Sequence, residues 1–135
     1  MIMVGVIWFV QIVHYPLFSR VGTEQFGEYL KRHQHLTTFV VGPPMLIEAI
    51  TTMLLIWYPP IPDIPLLLIC AGLLFLIWMS TAFLQIPSHG DLERGFKVKS
   101  HRGLVWGNWI RTLAWTARGG LLFWIGFRAL LMAAN

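Results

Sequence analysis

The chain has 135 residues, 56% of them hydrophobic and 12% charged, with a net charge of +4. Soluble domains carry about twice that charged fraction, and a chain this short has no interior large enough to hide so much apolar surface, so lipid is its natural solvent. The positive charge forms no basic stripe on a polar domain. It falls in short loops between apolar runs, which argues against nucleic acid as a partner and for orientation in a bilayer.

Four apolar runs follow one another. Met1–Leu17 has no basic flank before it and no small-x-small cleavage site before His14-Tyr15-Pro16. It reads as a first transmembrane helix at the short end of the spanning range, not as a signal peptide. Ser19–His35 is polar and long enough for a short helix. Thr23 suits its cap and Glu24 its first turn, and Phe26, Tyr29, Leu30 and His33 share one face, which predicts a helix lying at the membrane interface. Leu36–Tyr58 is the second span, and Pro43-Pro44 should kink it and free backbone carbonyls. Pro59–Pro65 is a tight turn without a basic residue. Leu66–Ile86 is the cleanest span, and its Cys70, the single cysteine, leaves no intrachain disulfide and no cysteine-based metal motif. Pro87–Gly103 is polar and basic. Leu104–Met132 is long enough to tilt or to project from the bilayer.

The expected fold is therefore all-α: one integral membrane domain over residues 1–135, a four-transmembrane-helix bundle with a short interfacial helix after the first span. Phe9-Val-Gln11-Ile12 and Phe83-Leu-Gln85-Ile86 end the first and third spans alike, which suggests two pseudo-repeated hairpins. The first loop carries Arg20, Lys31 and Arg32, and the third Arg94, Lys97, Lys99 and Arg102, whereas the middle loop holds only Asp63. The positive-inside rule then puts the basic loops in the cytoplasm and both termini outside, in a bacterial inner membrane. Trp57 and Tyr58 fall in the outer aromatic belt, and Trp106 and Trp109 near the inner one.

This topology gathers the chain's polar residues. Gln11, His14, Gln85 and His89 fall at the inner ends of their helices, beside His33, His35, His101 and Asn108. Glu48 and Arg111 lie about 10–15 Å deeper by helical rise, and Arg118 deeper still. Charges inside a bilayer are costly and face partners within a bundle, so Glu48 should pair with Arg111 or Arg118. Asn108, Arg111, Trp115 and Arg118 recur at helical spacing and should form one inward stripe. His33 and His35, two residues apart, cannot share a helix face and read as solvated interfacial residues.

Three kinds of site fit these residues. A metal ion (iron, copper or zinc) would draw on His14, Glu48, His89 and His101, although neither Glu-x-x-His nor His-Glu-x-x-His occurs. A haem would use two histidines such as His14 and His89, without a c-type attachment motif. A quinone, a pigment or a lipid headgroup would find donors against an apolar wall in Gln11, His14, Gln85, His89, Asn108, Trp109 and Arg111. No residue is assigned a catalytic role. Gly119-Gly120 and Gly126 would let other membrane subunits, or a second copy of the chain, approach the fourth span.

Gln85-Ile-Pro87-Ser-His89 with Leu92, and Trp106-Gly-Asn108-Trp109-Ile-Arg111-Thr112, resemble segments of small four-helix bacterial membrane proteins of unknown function. His14-Tyr-Pro-Leu-Phe and Pro43-Pro44-Met-Leu-Ile-Glu48 look like the first half of the same group. More distantly the architecture is similar to the anthrone-oxygenase-like membrane family, in its four spans, the polar-Pro-polar turn after the third and the Asn/Arg-bearing fourth. That resemblance implies oxidation of a polycyclic phenolic substrate. The function expected from the whole reading is an accessory or ligand-binding subunit of a larger membrane assembly. The alternative is a small membrane oxidoreductase with a His/Glu metal site or an aromatic-substrate pocket.

Overall fold

The computed structural model describes residues 1–22, 26–93 and 97–134. Among them there is no strand, and four helical rods account for nearly all of the backbone. They are α1 (Ile2–Arg20), α2 (Phe26–Trp57), α3 (Ile64–Leu92) and α4 (Val98–Ala133). The first three are long and apolar enough to cross a membrane. α4 has the length but is less apolar, because it carries Arg102, Arg111, Arg118 and Arg128.

Short connections make neighbouring helices pack as antiparallel pairs. α4 lies against α1 and α3, and α2 lies against α1 and α3, so the rods close a ring in chain order. The link from α2 to α4 across this ring runs through long side chains, as described below. Three apolar layers fill the interior. At the end bearing the loops after α1 and α3, Tyr15, Phe18, Phe26, Leu30, Leu92 and Leu104 pack together. Midway, Met3, Ile7, Met45, Ile77, Ala114 and Trp115 do so. At the far end, Ile61, Leu67, Cys70 and Ile125 close the bundle. Asp63 caps α3 there by accepting from the Leu66 N–H at 3.3 Å, with Pro65 in the first turn, where a missing N–H costs nothing.

The outside of the ring is apolar in every direction. Phe39, Phe75, Phe123 and Leu130 are each at least 65% exposed. α4 is inverted relative to a helix on a water-soluble protein. Its buried stripe includes Asn108, Arg111, Thr112, Trp115 and Arg118, while Leu113, Phe123, Phe127 and Leu130 point out. An exposed apolar surface this continuous needs lipid or protein to cover it.

Two irregularities shape the interior. α1 widens into a π-helical turn at Val10–His14, and α3 does the same at Thr81–Gln85. In each the closing bond spans five residues: Tyr15 N–H to the Val10 carbonyl, and Ile86 N–H to the Thr81 carbonyl. Each is followed, one residue on, by a proline, Pro16 or Pro87. A proline ring clashes with the carbonyl four residues back and cannot donate to it, and a π-turn is one way for a helix to absorb the misfit. These turns align α1 with α3 three residues out of register from the Phe-x-Gln-Ile match in the sequence.

Several boundaries differ from the sequence-based expectation. The short interfacial helix expected over Ser19–His35 is not a separate element. From Phe26 it forms the first turns of α2, which continues unbroken to Trp57. No glycine or proline stands between Gly27 and Gly42, so nothing stops the helix. Thr23 and Glu24, the expected cap and first turn, lie outside the described residues. α2 also continues through Pro43-Pro44, where the missing N–H groups leave the Phe39 and Val40 carbonyls without helical donors. Gly42 eases this passage, because a Cβ on the residue before a proline disfavours the helical conformation. α3 runs past Ile86 to Leu92, and α4 starts at Val98, not Leu104, since Leu92 and Leu104 are both wholly buried in the end layer. Gly119 faces this chain's own α1, where an added Cβ would stand 3.0 Å from a Val4 methyl, whereas Gly120 and Gly126 face open space.

Candidate functional site

The π-turns put polar side chains where an apolar helix would bury leucine. Gln11 and Gln85 are both nearly inaccessible, and each spends its amide N–H on the backbone of α4. Gln11 reaches the Val105 carbonyl and Gln85 the Leu104 carbonyl, both at 3.4 Å. Gly107 leaves room for this approach, since a Cβ there would stand 3.0 Å from the Gln85 amide nitrogen.

Asn108 and Arg111 occupy the middle of the resulting network. Asn108 donates to the Gln11 carbonyl oxygen at 2.7 Å. Its own carbonyl oxygen accepts from both Nε and Nη2 of Arg111. Arg111 also donates to the Tyr15 hydroxyl at 3.4 Å and to the Thr81 hydroxyl at 3.5 Å. Tyr15 is the meeting point of the site. Its hydroxyl donates to Gln85 at 3.2 Å and lies 3.3 Å from His89 Nε2, while its carbonyl is 2.8 Å from His101 Nε2. α1, α3 and α4 are thus joined through one phenol.

A cavity of about 310 Å³ opens beside this network, between α1 and α2. Its polar wall includes Tyr15, Gln85, His89 and Arg111, and its apolar wall includes Met3, Ile7, Val41 and Met45. Small-molecule sites have this size and this division between a large apolar lining and a few convergent polar groups. Among the described residues, two buried polar atoms on residues lining the cavity have no hydrogen-bond partner, Gln34 Nε2 and His89 Nδ1.

A second polar cluster lies deeper. Glu48 Oε1 is 3.5 Å from Arg118 Nη1, and Glu48 Oε2 accepts from the Trp115 indole at 2.8 Å. Arg118 also donates to the Thr52 hydroxyl at 2.7 Å, and that hydroxyl donates to the Glu48 carbonyl at 2.6 Å. Of the two ion pairs expected for Glu48, the structure contains the one with Arg118. Arg111 has only neutral partners among the described residues. The indole of Trp115, which also lines the cavity, separates the two clusters.

The metal candidates do not come together. Glu48 is engaged with Trp115 and Arg118, His101 with the Tyr15 backbone, and His89 with the Tyr15 hydroxyl. Among the described residues no group of three His, Cys, Asp or Glu side chains converges on a point where an ion could sit. Of the histidines named for a haem, His14 is in contact with His33, their rings 4.3 Å apart and Nε2 to Nδ1 at 3.1 Å, and His89 lies beyond His33. His33 is the correction here. It was expected at the solvated interface with His35, but α2 carries it inward between His14 and His89 and next to Thr37. His35 does face out, edge-on to Phe39. Trp109 packs edge-on against Trp8 at 5.7 Å and is not on the cavity wall.

Tyr15, Gln34, Thr37 and Thr81 belong to the site and were not singled out in the sequence. Gln11, Tyr15 and Phe18 do fall at helical spacing, and so do His33, Thr37 and Val41, which is the signal that marks the inward faces of α1 and α2. No family model matches the chain, and no curated protein or solved structure matches it.

Proposed function

We propose that this is a four-span integral membrane protein that binds a lipophilic small molecule inside its bundle, by an oxygen-bearing head. The observation that carries the reading is the cavity itself. It is apolar on the side of Met3, Ile7 and Met45, and it is polar on the side of Tyr15, Gln85, His89 and Arg111. Gln34 and His89 bring to it polar atoms that lack partners among the described residues. Groups left unpaired in an apolar interior cost about 1–3 kcal/mol each, and a ligand oxygen removes that cost.

The fourth span follows from the same logic. In the central stretch of α4 the polar residues Asn108, Arg111, Thr112 and Arg118 turn inward while Leu113, Phe123 and Phe127 face out, and the outward Arg102 and Arg128 lie toward its two ends. In a bilayer, polar residues that face a bundle interior do not prevent spanning. The basic ends of the helices then lie on the cytoplasmic side.

The ligand-binding reading is tested in nanodiscs of neutral lipid, with a variant keeping Trp115 as its sole tryptophan. Trp115 is 1% exposed and lines the cavity, so a brominated amphiphile dissolved in the surrounding lipid cannot touch it. Saturable quenching at one ligand per chain, lost when Val41→Phe fills the cavity, supports the reading. Quenching absent, or unchanged in Val41→Phe, contradicts it.

A further inference from the structure

The two buried arginines of α4 are in different electrical situations. Arg118, 3% exposed, faces the carboxylate of Glu48. Arg111, 7% exposed, faces Asn108, Tyr15 and Thr81, none of which carries a charge as a neutral amide, phenol or alcohol. No described carboxylate lies within ion-pair reach of it. An isolated cation in an apolar interior is among the costliest arrangements a protein can hold, and the usual remedy is a counter-charge. Arg111 is also on the wall of the cavity. We infer that the missing counter-charge belongs to the ligand: the cavity takes a lipophilic anion whose head is a carboxylate seated on Arg111.

The free donors match that head. Arg111 commits Nε and one Nη2 hydrogen to Asn108, which fixes the plane of the guanidinium. Its remaining bonds, to Tyr15 and Thr81, are long, at 3.4 and 3.5 Å, and easily exchanged for charge-assisted ones. Gln34 Nε2, an amide N–H donor on a residue lining the same cavity, has no partner among the described residues. A carboxylate has one charge for one uncompensated cation and two oxygens for these few donors. The apolar tail then lies along Met3, Ile7 and Met45, toward the middle layer of the bundle. Asn108 is a positioning residue in this arrangement: it touches Arg111 and Gln11, not the cavity.

This inference rests on the ligand-binding reading, and the test separates the two. The probes are a terminally brominated medium-chain carboxylic acid and the alcohol of the same length, titrated against the Trp115-only protein in phosphatidylcholine nanodiscs. The acid should bind about tenfold or more tightly than the alcohol, the range of a hydrogen bond to a charged group. In Arg111→Gln that preference should vanish, while the alcohol still binds. Equal affinities in the parent protein overturn the inference and leave the cavity reading standing, with no variant needed to decide. Binding of neither probe overturns both. Displacement of the acid by added phosphatidylglycerol assigns the site to a lipid phosphate and overturns the carboxylate.

Discussion

Replacing Glu48 by glutamine should expose how much of the bundle hangs on one buried ion pair. Arg118 and Glu48 are 3% and 15% exposed, so neither charge is screened by water. Glutamine keeps the length of the side chain and an oxygen for the Trp115 indole, which removes the charge alone. Arg118 is then left with the Thr52 hydroxyl as its remaining partner on α2, and its Nε has none among the described residues even before the substitution. Breaking a buried pair by deleting one partner costs about 3–5 kcal/mol, because the other charge stays buried. The Thr52 bond softens this, so we expect about 3 kcal/mol. Thr52→Val, which removes the bond from Arg118 between helices together with the hydroxyl's own bond to the Glu48 backbone carbonyl, should cost less, about 0.6 kcal/mol for the interhelical bond, the average for such bonds in membrane bundles. The assay is reversible unfolding in mixed micelles of rising sodium dodecyl sulfate content, followed by tryptophan fluorescence. Adding Arg118→Leu to Glu48→Gln should recover part of the loss, since no unpaired charge remains. A Glu48→Gln protein within about 0.5 kcal/mol of the parent would refute the claim that the pair holds α2 to α4.

Other expectations follow from named contacts. Asn108→Ala should weaken binding of a lipophilic carboxylate while leaving the alcohol unaffected, because it frees the guanidinium of Arg111 without touching the cavity; the same quenching titration measures both. Gly107→Ala should destabilise the fold by about 1 kcal/mol or more, since its Cβ would press on the Gln85 amide at 3.0 Å, whereas Gly120→Ala, with open space around it, should be neutral or slightly stabilising through helix propensity. Pro87→Ala restores an N–H to α3 and should let the π-turn tighten, so ligand binding falls while helix content by circular dichroism stays the same or rises.

The four long helices, three of them long and apolar enough to cross a membrane, were legible because each is built on a long apolar run, which any water-exposed fold would avoid. The inward stripe of Asn108, Arg111, Trp115 and Arg118 was legible for a related reason: a charge in an apolar helix has few places to point. Helix ends were less legible. Loop-like polarity at Ser19–His35 and Pro87–Gly103 suggested breaks, yet Phe26, Leu30, Leu92 and Leu104 bury themselves there and carry the helices onward. The π-turns were invisible, because a proline signals a break in the ladder without saying how the backbone will absorb it. The extra residue in the α1 turn helps decide that Tyr15 faces inward; His33 on α2 reads as solvated and Trp109 on α4 as a ligand contact in the sequence because the packing of those helices against their neighbours is not written in either one. The choice of Arg118 over Arg111 for Glu48 depended on the axial register of α2 against α4, which no periodicity within one helix reveals.

The most direct measurement is a crystal structure of the protein with the brominated carboxylic acid, read by anomalous scattering from bromine. The account predicts a bromine peak inside the bundle, among Met3, Ile7 and Met45, with the carboxylate on Arg111. Peaks confined to the outer apolar surface, with Arg111 still facing only Asn108, Tyr15 and Thr81, would contradict it.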